Sequence, residues 1–183
     1  MRFVLVCAAV ASLAAAPARA QKQTDAPIKQ LPTSAFSFEQ SIKLPGKPDE
    51  IFGAITGEIG GWWDHSFSEH PKRFYLEPKV GGCFCEVFDD AGNGVRHAVV
   101  TYVDRPKLLR FEGPLGLAGN ATQLVFTYTF EPVWGDSTKL TLQAQGSGHV
   151  EPGWPEVVAK VWHHFLVERF KPYVEAGKHK AKP

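Results

Sequence analysis

The chain has 183 residues, of which 44% are hydrophobic, 21% charged and 12% aromatic, and it carries a formal net charge of +1. This composition excludes a disordered chain, a collagen, a coiled coil and a membrane bundle. A nearly neutral chain also lacks a general electrostatic grip on nucleic acid or anionic lipid, so neither is expected as a partner.

Met1 and Arg2 open the chain with positive charge, Phe3 to Ala16 run apolar or small without a break, and Ala18-Arg19-Ala20 has the small-x-small pattern of a cleavage site. The 14-residue run is rich in Ala and too short to span about 30 Å of hydrocarbon. Residues 1–20 therefore read as a signal peptide removed before Gln21, and the product as exported, periplasmic or secreted. Taking 20 residues from 183 leaves 163, the usual size of one domain. The removed segment holds two of the 20 basic residues and no acidic one, so 18 basic residues then face 19 acidic ones, for a net charge of −1. No second apolar run of spanning length follows, and stable membrane insertion is not expected.

Residues 21–34 are polar with two prolines and read as a flexible linker; residues 178–183 (KHKAKP) read as a basic disordered tail. The domain between them spans residues 35–177. Its first strand fits Phe36 to Ile42, with Phe36, Phe38, Gln40 and Ile42 on one face. Pro48, followed by Asp49 and Glu50, starts a helix whose apolar stripe is Ile51, Phe52 and Ile55. Gly57, Gly60 and Gly61 break it before Trp62-Trp63. Strands then follow at about 73–78, 82–89, 94–103, 107–112, 122–133 and 138–146, with hairpin turns at Asp89 to Gly94 and at Trp134 to Ser137. Short turns between consecutive strands imply an antiparallel sheet.

The last element is a long helix opening at Pro155-Glu156, in which Val157, Val158, Val161, Trp162, Phe165, Leu166 and Phe170 cover a wide apolar face. Pro172 is expected to end or kink it.

This order resembles the helix-grip fold of the START-like or SRPBCC superfamily, and its details resemble the branch related to the activator of Hsp90 ATPase C-terminal domain. The residues that carry the resemblance are Pro48 to Thr56, Trp62-Trp63, Gly81-Gly82-Cys83-Phe84, Val103 to Leu109, and Thr138 to Leu142 followed by Gly146-Ser147-Gly148. The likeness spans about residues 35–176. It implies an α+β fold: a curved antiparallel sheet of about seven strands around the C-terminal helix, with two short helices after the first strand. It also implies a cavity between sheet and helix that in many members holds an apolar or amphipathic small molecule. The co-chaperone role of the namesake transfers badly to an exported protein, which would meet neither Hsp90 nor ATP.

Trp62, Trp63, Phe67, Phe74, Phe84, Phe88, Phe126, Phe130, Trp154 and Trp162 are more large rings than a filled core of this size needs. Core packing is the ordinary role of any one of them. The adjacent Trp62-Trp63 pair is the better cavity candidate, with one ring at the mouth. Phe84, Glu86 and Phe88 share a strand face. One hairpin register sets Glu86 opposite His97, a possible general acid/base pair facing the cavity; a register one residue shorter sets it opposite Arg96, a surface ion pair. The surface pair is the commoner arrangement for strand charges.

Cys83 and Cys85, spaced i, i+2 on a strand, should lie about 6.5–7 Å apart, at the outer limit for an unstrained disulfide, and read as two small buried hydrophobes. Asp64, His65, Glu69 and His70 lie in a probable loop, but H-x4-H matches no common zinc spacing and no metal is assigned. His163 and His164 diverge by about 100° on a helix, with a solvated position as the default. Nucleophile-elbow, P-loop and Rossmann fingerprints are absent.

These readings point to an exported protein that binds a small hydrophobic or aromatic ligand, with Trp62, Trp63, Phe84, Glu86 and His97 as the candidate lining. No catalytic residue and no cofactor is assigned. The alternatives are an enzyme resembling polyketide cyclases or dehydratases that uses a pocket Glu or His, and a protein-interaction module, which would have a filled interior and an exposed apolar patch.

Overall fold

A computed structural model describes residues 28–181; residues 1–27, and with them the signal and most of the linker, lie outside the described part. Of the described residues, 31–181 form one compact unit, and residues 28–33 have no regular structure.

The unit is built on β1 (Ser34–Pro45), which turns Phe36, Phe38, Gln40, Ile42 and Leu44 to the same side, as the period-two pattern requires. Helix α1 (Pro48–Ile55) starts on its proline and buries Ile51, Phe52, Ala54 and Ile55. Where a second short helix was expected, Gly57 takes a positive φ of 70° and the chain forms a two-residue strand, β2 (Gly57–Glu58). Glycine alone adopts that conformation freely, so the helix stops there. Then come β3 (Arg73–Leu76), β4 (Cys83–Val87), β5 (Gly94–Asp104), β6 (Leu108–Gly113), a 3-10 turn at Leu115–Leu117, β7 (Thr122–Val133) and β8 (Ser137–Gly148). The eight strands make one curved antiparallel sheet in the order β1-β8-β7-β6-β5-β4-β3-β2; β2 is the strand added to the expected seven.

The C-terminal helix crosses the sheet as α2 (Trp154–His163), π-helical turns (His164–Phe170) and α3 (Lys171–Glu175). Pro172 neither ends nor sharply breaks it. The wide turns finish at Phe170 and α3 restarts with Pro172 in its first turn, where a missing N–H costs nothing. The expected apolar face is divided by depth: Trp162, Phe165, Leu166 and Phe170 are buried, Val158 and Val161 are half-buried, and Val157 is 57% exposed. The N-terminal half of the helix therefore stands off the sheet. Residues 178–181, expected as a loose tail, form a 3-10 turn, and His179 Nε2 meets Glu50 Oε1 at 2.8 Å.

Cys83 and Cys85 correct the reading made from their spacing. They are half-exposed on the outer face and joined as a disulfide, with Cα atoms 5.4 Å apart. The full extension assumed for the strand does not hold there, because the β4–β5 register shifts between Phe84 and Cys85.

Candidate functional site

The register shift that brings the cysteines together also builds the site. Phe84 pairs with Ala98, but Cys85 pairs with Arg96 and Glu86 with Val95, so His97 is an extra residue in β5. The register that would set Glu86 opposite Arg96 holds at Cys83 and Phe84 but slips by one residue before Glu86, so neither expected partner faces it. A bulge inserts one residue and re-aims its side chain; here His97 and Ala98, neighbours in sequence, both point inward. His97 thus reaches Glu86 without being its cross-strand partner, and Arg96 stays in water.

Glu86 is 1% exposed and His97 4%. The carboxylate accepts four hydrogen bonds: from Ser66 Oγ and Ser68 N (3.2 Å) on Oε1, and from Phe67 N (3.1 Å) and His97 Nε2 (3.2 Å) on Oε2. Burial pushes the Glu86 pKa up, but the donors from Ser66, Phe67, Ser68 and His97 outweigh it, so it lies below the usual carboxylate value. For His97, burial is the larger influence and lowers the imidazole pKa, against the pull of Glu86 and the Leu115 carbonyl. Both shifts favour an ionised carboxylate beside a neutral imidazole near neutral pH, with His97 Nε2 facing Glu86 Oε2. His97 is stacked on Phe74 with ring centres 5.2 Å apart, and Phe84 and Phe67 flank it at 5.5 Å.

Next to this pair is a cavity of about 340 Å³. The segment after the first helix lines it with Trp63, His65, Ser66 and Phe67, the bulge with His97, and the turn after β6 with Leu115, Gly116 and Leu117. Leu124 of β7 and Val157, Val158, Val161, Trp162 and Phe165 of the C-terminal helix close the other side. The valines of the helix's wide apolar face are therefore cavity wall.

The expected lining is only partly brought together here. Trp63 is at the cavity, stacked on Phe165 with centres 3.8 Å apart and edge-on to Phe84 and Trp162, and its Nε1 donates to the His65 carbonyl at 2.6 Å. His97 is at the cavity. Trp62 is not: its ring, 2% exposed, packs edge-on to Trp63 at 5.6 Å and on Phe170 at 5.0 Å, behind the cavity wall. Phe84 and Glu86 lie one layer deeper, supporting Trp63 and His97. Ser66, Phe67 and the 115–117 turn had no periodic signal by which to find them. His164, expected in solvent, reaches Asp64 across the mouth.

No family model matches the chain, and no curated protein matches it. Solved structures do. A protein from Chromobacterium violaceum aligns with a TM-score of 0.54 at 17% identity, covering 76% of this chain and 96% of that one. A protein from Mesorhizobium loti gives 0.53 at 18%, covering 77% and 98%. The Aha1 dimer from Colwellia psychrerythraea gives 0.52 at 19%, covering 78% and 98%. The fold is the helix-grip, START-like fold. At such identities the likeness is one of architecture.

Proposed function

We propose that this protein binds a small apolar or aromatic molecule in the cavity between the sheet and the C-terminal helix. The observation that carries this reading is the cavity: rings, leucines and valines on most of its surface, with His97, His65 and Ser66 as its few polar groups. Such a mixture of apolar wall and few fixed polar groups is what small-ligand sites use. A ligand that buried about 200 Å² of apolar surface would gain about 5 kcal/mol at about 25 cal/mol per Å², before the cost of association. The protein-interaction alternative required a filled interior and is not favoured.

The test is a titration with the apolar fluorophore 1-anilinonaphthalene-8-sulfonate. Saturable one-to-one binding is expected, and Val161→Trp, which fills the cavity, should abolish it. Absent binding, or binding unchanged by Val161→Trp, would refute the reading. We also propose export on residues 1–20; the mass of the protein purified from its host should begin at Gln21.

A second reading, general-base chemistry on the bound molecule, is favoured by one observation: His97, on the cavity wall, is held by the buried, fully hydrogen-bonded carboxylate of Glu86. That is the arrangement of a base held by a third group. It predicts deuterium exchange from D2O into the carbon next to the carbonyl of a bound aromatic ketone, lost in His97→Gln; no exchange would leave the binding role alone.

A further inference from the structure

At the rim of the cavity, separate from the Glu86–His97 pair, three side chains converge from segments about 100 residues apart. Asp64 and His65 follow Trp63 in the loop, and His164 is the first residue of the π-helical turns. One ligand-type atom from each lies within 4.8 Å of the others. His65 Nδ1 is 2.9 Å from Asp64 Oδ1, and His164 Nε2 is 2.9 Å from Asp64 Oδ2. We propose that Asp64, His65 and His164 form a binding site for a divalent transition-metal ion of the zinc class.

Two imidazoles and a carboxylate are the donor types such ions take, and three protein donors leave a position open, here at the mouth of the cavity that His65 lines. Donors bound at about 2.0–2.1 Å in a tetrahedral shell sit about 3.3 Å apart, so the present contacts to Asp64 Oδ1, from His65 Nδ1 at 2.9 Å and His164 Nε2 at 3.1 Å, need to widen by only a few tenths of an ångström.

A second observation points the same way. The far side of His164 is held by a carboxylate: Nδ1 donates to Glu168 Oε2 at 2.8 Å. Metal-binding histidines commonly give their other N–H to a carboxylate, which orients the ring and strengthens the donor. Without an ion, His164 lies between two carboxylates and both its nitrogens donate. An ion would displace the proton on His164 Nε2 to solvent and take Nδ1 of His65, whose hydrogen moves to Nε2, while the Glu168 bond stays. The backbone of His65 is fixed by Trp63 Nε1. Arg169 Nε, 3.1 Å from Asp64 Oδ2, competes for that oxygen and leaves Oδ1 to the ion.

The untagged full-length protein, stripped with chelator, would be titrated with Co2+ and read by visible absorption. One saturable equivalent with d–d bands is expected, and added Zn2+ should displace it. His164→Ala and His65→Ala should each weaken binding at least 10-fold, and Glu168→Gln about 10- to 100-fold. His70→Ala, in the same loop but outside the cluster, should bind as wild type. No saturable uptake by the wild type, or uptake that survives both histidine substitutions, would overturn the site. His65 is exposed, so His65→Ala decides the matter if His164→Ala misfolds.

Discussion

Replacing Glu86 by Gln keeps its size and removes its charge, and the hydrogen-bond network then states what must be lost. In the native protein two donors meet each oxygen, Ser66 Oγ and Ser68 N on one, Phe67 N and His97 Nε2 on the other. A glutamine amide can present only one oxygen. Its best orientation keeps the oxygen toward Phe67 and His97 and turns the NH2 to Ser66, whose hydroxyl can reverse and accept. Ser68 N then loses its carboxylate partner but keeps Ser66 Oγ at 2.9 Å, so the main loss is the charge assistance of the surviving bonds and of the Ser66 contact. The expected total is about 2–3 kcal/mol, or a Tm lower by roughly 5–10 °C for a domain of this size. Urea unfolding followed by tryptophan fluorescence measures the loss. Hydrogen exchange should also quicken at the Phe67 and Ser68 amides, because the carboxylate latches that loop. Glu86→Ala, which takes the carboxylate from all four donors and leaves Phe67 N and His97 Nε2 without it, should cost about 3–5 kcal/mol. If Glu86→Gln matches the wild type within about 0.5 kcal/mol and the two amides exchange as before, Glu86 does not hold the loop.

Acidification should act on the same pair with a definite sign. His97 has a lowered pKa in the fold, so the unfolded chain binds the extra proton first, and its stabilisation, complete above about pH 6.5, is lost as pH falls below that value. Glu86, also lowered, adds a further loss below about pH 4.3, and urea midpoints across pH should decline in that order. His164 has the opposite sign: Glu168 and Asp64 raise its pKa, so its contribution is present below about pH 6.5 and fades as pH rises through the raised value, a trend that His164→Gln should remove. Trp63→Ala removes a ring that contacts five aromatic neighbours including His97's partners Phe74 and Phe84; a loss of about 3 kcal/mol is expected by urea unfolding, with a weaker fluorophore affinity, whereas Trp62→Phe should affect stability alone. Gly113→Ala would press a methyl onto the His97 carbonyl and Ala98 in the bulge; a loss of about 1–3 kcal/mol and a shifted His97 ring resonance are expected, and an unchanged resonance would show that β6 does not fix the bulge.

The architecture was legible because it rests on local rules. Alternation along Phe36, Phe38, Gln40 and Ile42 marks a one-sided strand, Pro48 and Pro155 mark helix starts, and Asp89 to Asn93 mark a turn whose side chain Asp89 does accept from Ala91 N at 2.9 Å and Asn93 N at 3.2 Å. The site was only half legible. Glu86, His97 and Trp63 stand out as residue types in unusual company, but no period-two register brings Glu86 to His97 as it occurs, since a bulge breaks the period on which such registers rest. The same departure from extension paired Cys83 with Cys85, against the distance that a straight strand implies.

What the sequence determined by itself is therefore which segments become strands and helices and which faces are apolar, because propensity and periodicity act over a few residues. Only the tertiary structure decided which apolar side chains fill space and which enclose it. Val158 and Val161 belong to the same apolar helix face as Leu166 and Phe170, yet they line a cavity because the helix stands off the sheet at that end. The stand-off depends on contacts between β5, the 115–117 turn, the Trp63 loop and the helix, which lie far apart in the chain and meet only when it folds.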